Sequence, residues 1–332
     1  MEGIVLPVTN RKVITITLSL NNESKLNALS AKKGVPKARI LDEAVDTLYR
    51  EEEVRMGNEP TPSRKCPVIT IATNKGGCGK TTSAAAIADV LAKRGNQVLV
   101  IDADPQGNLS KRFGYIPTGT SPNYIGKLLL DRMDLLENNE HHEIGYYIND
   151  CDSFPRIKII TSDLRLDKVY AILNAQLVAS TGVFRKFIKE IKALNQFDYI
   201  IIDTRPSLNN EVGSVMVATD YVMIPVEPTE DAILGADATI TFMASIRSMN
   251  DSLKVLGIFM TKVYNRNKSY HEAAPLVKES WKDYVFKTEI PRSQDADNAG
   301  NEGKPVTTDK FANKKLAKRY EQLVEEAVNR IA

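Results

Sequence analysis

Residues 75–82, which read K-G-G-C-G-K-T-T, have the clearest capacity for chemistry in this sequence. The loop follows a β-branched run and precedes an apolar stretch typical of a helix. Glycines in such a loop let backbone N–H groups converge on phosphate oxygens, and the helix N-terminus adds the positive end of its dipole. We therefore predict a nucleotide site in which Lys80 contacts the terminal phosphates and the Thr81 hydroxyl contacts Mg²⁺. The predicted nucleotide-binding residues are Lys75, Gly76, Gly77, Cys78, Gly79, Lys80, Thr81 and Thr82.

Aspartates follow two later apolar runs. Asp102 and Asp104 come after V-L-V-I, and Asp203 comes after Y-I-I-I. Ligands of parallel sheets bind at the carboxyl ends of the strands, which suits a carboxylate such as Asp203 for holding Mg²⁺. For Asp102 and Asp203 taken singly, a helix-capping or turn role stays open.

Strands and helices alternate from about residue 66 to the end. Continuously apolar runs indicate strands that are buried on both faces, and helical stretches separate them. One helix is expected over about 81–94, closed by Gly95. We predict an α/β fold with a doubly wound, mainly parallel sheet and a deviant phosphate loop over residues 66–332. The strand-like runs are V-I-T-I-A-T, Q-V-L-V-I-D, I-K-I-I-T, D-Y-I-I-I-D, Y-V-M-I-P-V and V-L-G-I-F-M-T.

The loop resembles the deviant Walker A box of the ParA and MinD superfamily of ATPases. Asn74 stands where the ordinary loop has glycine, and Lys75 is an additional lysine. Residues 98–110 (V-L-V-I-D-A-D-P-Q-G-N-L-S) are similar to the switch I segment of that family. Residues 198–208 (D-Y-I-I-I-D-T-R-P-S-L) are similar to its Walker B strand and switch II. The likeness continues through F-K-T-E-I-P-R and G-K-P-V, and so covers nearly everything from Val68 to the end.

This resemblance implies roles for individual residues. Lys75 would contact the phosphates of a partner subunit in a nucleotide-sandwich dimer, and Asp104 would orient the attacking water. Lys75, Lys80 and Asp104 are thus the expected catalytic residues. Asp102 would sit beside the metal, and Asp203 would hold Mg²⁺ through water, so Thr81, Asp102 and Asp203 are the expected metal site.

Two positions depart from the family pattern. Arg205 stands in switch II where these proteins more often carry proline, and this change bears on the expected hydrolysis rate. Asp295 lies where a basic residue often follows I-P-R in the family. This difference weakens the case for assigning the family's DNA contact at that position to this chain.

The resemblance also implies a function. The chain is expected to be a Mg²⁺-dependent ATPase that partitions plasmid or chromosomal DNA, with ATP and Mg²⁺ as cofactors and slow turnover. It would form an ATP-dependent homodimer, bind DNA without reading sequence, and respond to a ParB-like adaptor protein. Its expected location is the cytoplasm, on the nucleoid. Arg266 matches an arginine in the family segment that follows the last strand, which implies a contact with DNA phosphates.

The first 50 residues predict a separate small unit. After a loose arm over 1–10, strict alternation from Val13 to Leu20 predicts a half-buried strand. A helix capped by Asn21 or Asn22 should stop near Gly34, and a second helix should begin at Pro36. A charged segment rich in proline and glycine, residues 51–65, is expected to be a linker.

Strand, helix and helix in this order resemble a ribbon-helix-helix domain, in which two chains pair their strands and enter the major groove of DNA. Such a unit is too small to bury a core alone, so it should dimerise. Alternation turns Val13, Thr15 and Thr17 toward base edges, with Arg11 near the DNA backbone. Residues 11–41 carry seven lysines or arginines and one acid, which suits phosphate contacts. A dimerisation module with merely solvated lysines stays open as the alternative.

Charge and composition limit the other functions. The formal net charge of +2 requires any nucleic-acid contact to come from local basic patches. A basic stretch lies near the C-terminus, where DNA contact and a solvated helix face are both open interpretations. It comprises Lys310, Lys314, Lys315, Lys318 and Arg319.

The cysteines and the terminal segment disfavour two related function classes. Three widely spaced cysteines fit neither a disulfide framework nor a metal cluster, which disfavours a nitrogenase-like reductase and favours a reducing cytoplasm. The terminal segment Y-E-Q-L-V-E-E-A-V-N-R-I-A places three glutamates among its apolar residues, unlike the membrane anchor of a MinD-like protein. With no signal-peptide core or spanning run, we expect no membrane partner. A nucleotide-regulated transcriptional repressor of its own operon stays open as the alternative function.

Overall fold

The computed structural model describes parts of the first 63 residues and most of the chain beyond them. The described ranges are 4–8, 12–16, 20–33, 37, 40–41 and 65–331, with gaps at 137–139, 177–180, 230–231, 265 and 313. The chain divides into two compact units, residues 1–63 and residues 64–332.

The first unit contains a hairpin and a helix. Strand β1 (Ile4–Val8) pairs antiparallel with β2 (Lys12–Ile16), and α1 (Leu20–Lys33) follows. The expected loose arm over 1–10 is therefore wrong, because part of it forms β1. Helix α1 ends just before Gly34, as predicted. Residues 37, 40 and 41 are helical, and the rest of the second predicted helix and almost all of the linker lie outside the described residues.

The expected strand boundary was also wrong. The described part of the strand ends at Ile16, and Leu20 already begins the helix. Asn21 and Asn22 consequently lie in the first turn rather than at the cap. Alternation could not decide whether Leu20 ends the strand or begins the helix, because one apolar residue at a boundary fits the period of either element.

Seven strands form the sheet of the second unit. The strands are β3 (Val68–Ile71), β4 (Val98–Ala103), β5 (Asn149–Asp150), β6 (Ile157–Ile160), β7 (Tyr199–Thr204), β8 (Tyr221–Val226) and β9 (Lys254–Met260). Their order across the sheet is β5-β6-β4-β7-β3-β8-β9. All neighbours are parallel except β5 and β6. The predicted parallel sheet is thus confirmed, and the short antiparallel edge strand β5 was not predicted.

Helices cover both faces of this sheet. They are α2 (Lys80–Lys93), α3 (Asn108–Arg112), α4 (Ile125–Arg132), α5 (Leu166–Ala175), α6 (Val183–Ala193), α7 (Asn210–Val217), α8 (Ala232–Ile246), α9 (Lys268–Ser280), α10 (Gln294–Asn301) and α11 (Lys315–Ile331). A short 3₁₀ helix spans Ile144–Tyr147. No described helix is long and apolar enough to cross a membrane.

Strand β4 shows how the two faces are filled. Val98 and Val100 pack in a cluster with α2 and α11, whereas Leu99 and Ile101 pack in a second cluster with α4, α5 and α6. Successive side chains of a strand point to opposite faces, so a strand between two helical layers needs apolar residues at every position. A third cluster joins β8 and β9 to α7, α8 and α9.

Candidate functional site

Three adjacent strands bring the predicted site residues to one edge of the sheet. β7 lies between β4 and β3, with Asp102 paired to Asp203 and Asp203 paired to Ile71. The loop that follows β3 therefore begins beside both aspartates. This arrangement is that of a doubly wound sheet, whose ligands bind at the carboxyl ends of the strands.

The loop over residues 72–79 turns into α2 through left-handed backbone. Gly77 has φ 76° and Gly79, which caps α2, has φ 80°. An L side chain is strained in this region, so glycine is required at both positions. The Thr261 hydroxyl, directly after β9, donates a 2.9 Å hydrogen bond to the Cys78 carbonyl and ties the loop to the sheet. Sequence reasoning missed Thr261, because it lies 183 residues from its partner.

The two lysines of the loop occupy different surroundings. The Lys80 side chain is buried, and its Nζ donates to the Lys75 carbonyl at 3.1 Å. Burial lowers the pKa of Lys80, against the opposing charge of Asp203. Lys75 is only half-buried, and its Nζ donates to the Thr229 hydroxyl of the same chain at 3.1 Å.

Thr81 and Asp203 form the candidate metal site. The Thr81 hydroxyl donates to Asp203 Oδ2 at 2.6 Å, and Asp203 is fully buried. Asp203 Oδ1 has no hydrogen-bond partner among the described residues. Burial and the neighbouring Asp102 raise the pKa of Asp203 well above its ordinary range. A cation at this point would supply the missing partner and favour the ionised carboxylate, so the two residues fit Mg²⁺.

Asp102 is engaged by the segment that follows it. Its Oδ1 accepts from the backbone N–H of Asp104 at 3.2 Å, and its Oδ2 accepts from both the N–H and the hydroxyl of Ser110 at 2.7 Å. Burial raises the pKa of Asp102 to about 7, while the bonds from Ser110 oppose the shift. Since both oxygens are occupied, the geometry favours Asp102 as an anchor for residues 104–110 over a direct metal ligand.

Asp104 lies at the wall of a cleft beside the loop. Its Oδ1 accepts from the Gln106 N–H at 3.0 Å, and its carbonyl accepts from the Gly107 N–H at 3.0 Å. These bonds hold the carboxylate at the turn before α3. The cleft also contains Lys80, so the two residues line one cavity.

The cleft has a volume of about 1200 Å³ and extends well beyond the predicted residues. One further part of its lining comes from residues 290–294, 296 and 297, before and within α10, and from Tyr264, which follows β9. The family-like segment F-K-T-E-I-P-R was a signal for this wall. Arg112 and Tyr320 also line the cleft, and no sequence signal singled them out.

The two departures from the family pattern have local partners. The Arg205 guanidinium lies 3.1 Å from Glu211 Oε2 and 3.3 Å from Asp167 Oδ1. Asp295 lies in the first turn of α10, where its backbone N–H donates to the Ser293 hydroxyl at 3.1 Å. An acid in the first turn of a helix is favoured by the helix dipole, which accounts for Asp295 at this position.

The predicted DNA-contact residues are spread over both units. Arg11 and Thr17 lie outside the described residues, and Val13 and Thr15 pair with Pro7 and Val5 in the hairpin. Arg266 is exposed in the segment between β9 and α9.

The basic stretch near the C-terminus lies at and before the start of α11. Lys314, Lys315 and Lys318 are exposed, whereas Lys310 pairs with Glu302. The apolar face of α11 packs on α2, where the Tyr320 and Ser83 hydroxyls share a 3.0 Å hydrogen bond.

Comparison with known proteins places this geometry in a family. A family model described as an AAA domain matches residues 66–255. An uncharacterized protein of Methanocaldococcus jannaschii is 34% identical over 277 residues, which are 80% of this chain and 99% of that protein. The chromosome partitioning protein ParA of Caulobacter vibrioides is 30% identical over 240 residues, which are 72% of this chain and 85% of ParA.

A solved structure agrees with these relatives. A plasmid partition protein of Borrelia burgdorferi, bound to AMPPNP, superimposes with a TM-score of 0.60 at 26% identity and covers 80% of this chain and 100% of that chain. Because the matched region contains the phosphate loop, both switch segments and the Walker B strand, the chain belongs to the ParA-type family of P-loop ATPases.

Proposed function

We propose that this chain is a Mg²⁺-dependent ATPase that dimerises on ATP, binds DNA and partitions it. One observation carries the proposal: the Thr81 hydroxyl, directly after the glycine loop, donates to buried Asp203, and Asp203 Oδ1 has no hydrogen-bond partner in the described part of the chain. A metal bound to ATP would complete that arrangement. The kinship with ParA and the AMPPNP complex of a plasmid partition protein support ATP as the nucleotide.

Each residue of the site contributes to phosphoryl transfer by position and charge. Mg²⁺, when bound, would neutralise charge on the terminal phosphates. Lys80 and the loop amides stabilise the phosphate oxygens, and the Asp104 carboxylate at the cleft wall orients the attacking water. The two hydrogen bonds at the Asp102 Oδ2 atom keep the turn that carries Asp104 in place.

Hydrolysis is tested first. Lys80→Ala should abolish ATP binding, because a loop without this cation leaves the phosphate charge uncompensated. Asp104→Ala should bind ATP and lose Mg²⁺-dependent phosphate release, whereas Asp152→Ala, at an exposed aspartate, should behave as wild type. Undiminished turnover in Asp104→Ala would exclude the water-orienting role.

Dimerisation is proposed to involve Lys75 acting on the partner's nucleotide. Within its own chain, the Lys75 ammonium donates to the Thr229 hydroxyl at 3.1 Å. In the dimer, a phosphate oxygen of the partner's nucleotide would replace this hydroxyl. In a fragment of residues 64–332, Lys75→Ala should bind ATP and yet fail to form the ATP-dependent dimer in sedimentation. Normal ATP-dependent dimerisation of this variant would exclude a role of Lys75 at the partner's nucleotide.

The first unit is proposed to be a ribbon-helix-helix module that reads DNA sequence through Val13, Thr15 and Thr17. Its strand-before-helix order supports this assignment, as do the seven lysines or arginines against one acid in residues 11–41. Since β2 already pairs with β1 in its own chain, a ribbon between two chains would use the other edge of β2 or displace β1. The transcriptional repressor interpretation remains a prediction that rests on the same unit.

Sequence-specific and general DNA binding should separate in two fragments. Residues 1–63 should select a repeated site without ATP, and Thr15→Ala with Thr17→Ala should flatten that preference. Residues 64–332 should bind any duplex only with ATP, with an affinity that falls steeply with salt, and Arg266→Ala should weaken it. If the N-terminal fragment shows no sequence preference, the DNA-reading role is excluded and the dimerisation module is the interpretation that remains.

The partner proteins follow from the same assignment. A ParB-like adaptor should stimulate hydrolysis in the presence of DNA, and the ATP-bound dimer should locate to the nucleoid. Phosphate release measured in the presence of DNA, with and without a candidate ParB-like protein, tests this part.

A further inference from the structure

We infer that Arg112 binds the α-phosphate of the nucleotide and so sets the affinity for ATP and ADP together. This inference rests on the proposed ATP site. Arg112 is the last residue of α3 and lines the cleft. Neither the phosphate loop nor the switch motifs of the sequence include it.

The guanidinium of Arg112 lies between the phosphate loop helix and the C-terminal part of the fold. Its Nη1 donates to the Lys304 carbonyl at 3.0 Å, and its Nη2 lies 3.4 Å from the Thr82 hydroxyl. At Gly300 a Cβ would lie 3.0 Å from Nη2. The position of this glycine therefore leaves room for a guanidinium at the wall of the cleft.

The charge of Arg112 lacks a close counter-ion within the described part of the chain. Arg132, Arg165 and Arg205 each lie 3.1 Å or less from a carboxylate oxygen. For Arg112, no described carboxylate oxygen comes within 4.0 Å, and burial lowers its pKa. A half-buried cation without a counter-ion is costly, and the ligand of this cleft is a polyanion. A phosphate group would provide the missing charge, and its oxygens match the fork of a guanidinium.

The position along α2 indicates which phosphate is involved. In the proposed ATP site, Lys80 contacts the terminal phosphates, and Thr81 and Asp203 hold the metal. Thr82 is the next residue of the same helical turn, and Arg112 reaches it from the side of α10 and Lys304. Arg112 thus faces the part of the phosphate chain that ATP and ADP share. A contact of this kind stabilises ground state and transition state alike, so it changes binding and KM but not kcat.

The test uses the full chain and the substitution Arg112→Gln. Glutamine has an amide that can donate to the Lys304 carbonyl, but it carries no charge. The matched control is Arg94→Gln, because Arg94 also donates to a carbonyl, that of Glu321 at 3.0 Å, and does not line the cleft. ATP and ADP are titrated by calorimetry, and turnover is measured at saturating ATP.

Arg112→Gln should raise the Kd of ATP and of ADP by the same factor, about tenfold for one lost charged hydrogen bond. The kcat should equal that of Arg94→Gln. Arg112→Lys should recover part of the affinity, since it retains the charge without the fork.

Three outcomes would overturn the inference. Unchanged Kd values for both nucleotides, with a lower Tm of the apoprotein than in Arg94→Gln, would make Arg112 a structural clamp on Lys304. A loss for ATP alone would assign Arg112 to the terminal phosphate. A wild-type chain that binds no ATP would refute the proposed function itself, and with it this inference, whereas equal binding by wild type and Arg112→Gln refutes the inference alone.

Discussion

Arg205, in the segment that follows β7, should stabilise the fold through Glu211. The Glu211 side chain is 8% exposed and the Arg205 side chain 32%, and their closest atoms lie 3.1 Å apart. Asn174 and Asn209 also donate to the Glu211 carboxylate, at 2.9 and 2.7 Å. Replacing Arg205 by Met would leave this buried carboxylate with two amide donors and without its cation.

The expected magnitude lies between two limits. An exposed ion pair contributes about 0.2–1 kcal/mol, and loss of one partner of a fully buried pair costs about 3–5 kcal/mol. Since Glu211 is buried but keeps its amide donors, Arg205→Met should lower the free energy of unfolding by about 2 kcal/mol. Glu211→Gln removes the buried charge, so the double variant should lose only about 1 kcal/mol. Because Glu211→Gln alone also breaks the ion pair, the two single effects should sum to more than the effect of the double variant, so the effects are not additive.

Urea unfolding of the four proteins of this cycle measures the coupling. Trp281 is the single tryptophan of the chain, and its fluorescence reports on the unit of residues 64–332. The pair of Asp150 and Lys158, with side chains 80% and 41% exposed, provides a surface control. Strictly additive effects in the Arg205 cycle, or a coupling no larger than in the control pair, would refute the reasoning.

Two further predictions concern packing and thiol chemistry. Gly257→Ala should destabilise the chain by about 3 kcal/mol in the same urea assay, because a Cβ there would lie 2.7 Å from the Tyr284 carbonyl oxygen. Gly145→Ala should be nearly neutral, because a Cβ at that position would meet no described atom within 4 Å beyond its chain neighbours. Equal effects of the two substitutions would contradict the packing argument. Burial raises the pKa of Cys66 to about 11 and that of Cys151 to about 12, so both thiols stay protonated at pH 8. Iodoacetamide should therefore label both cysteines far more slowly in the native chain than in urea, as measured by mass spectrometry. Rapid labelling of the native chain would show that these sites open to solvent.

The hairpin of the first unit illustrates a limit of periodic patterns. Alternation from Val13 onward predicted a strand, and β2 is one. The same pattern does not reveal whether the strand pairs within its own chain or with a second chain. Pairing depends on which edge becomes available in the folded state, and that is not a property of the strand's own residues.

The sequence by itself determined the features whose physics is local. Residues 75–82 contain the glycines, the lysine and the hydroxyls that a phosphate loop needs, all in one continuous segment. Continuous apolar runs predicted six of the seven strands of the main sheet, because a strand between two helical layers must be apolar on both faces. The two-residue strand β5 is polar and has no such signal.

Only the tertiary structure decided how the aspartates and arginines are used. Asp102 and Asp203 look equivalent at the ends of their strands, yet Ser110 donates to the carboxylate of Asp102, while Asp203 Oδ1 has no partner among the residues that the structure describes. Arg205 and Arg112 find carboxylate and carbonyl partners 6 and 192 residues away. Such contacts arise where packed helices and loops meet, and their geometry depends on the whole fold. Local periodicity records which face of an element is buried, but it does not record what lies opposite that face.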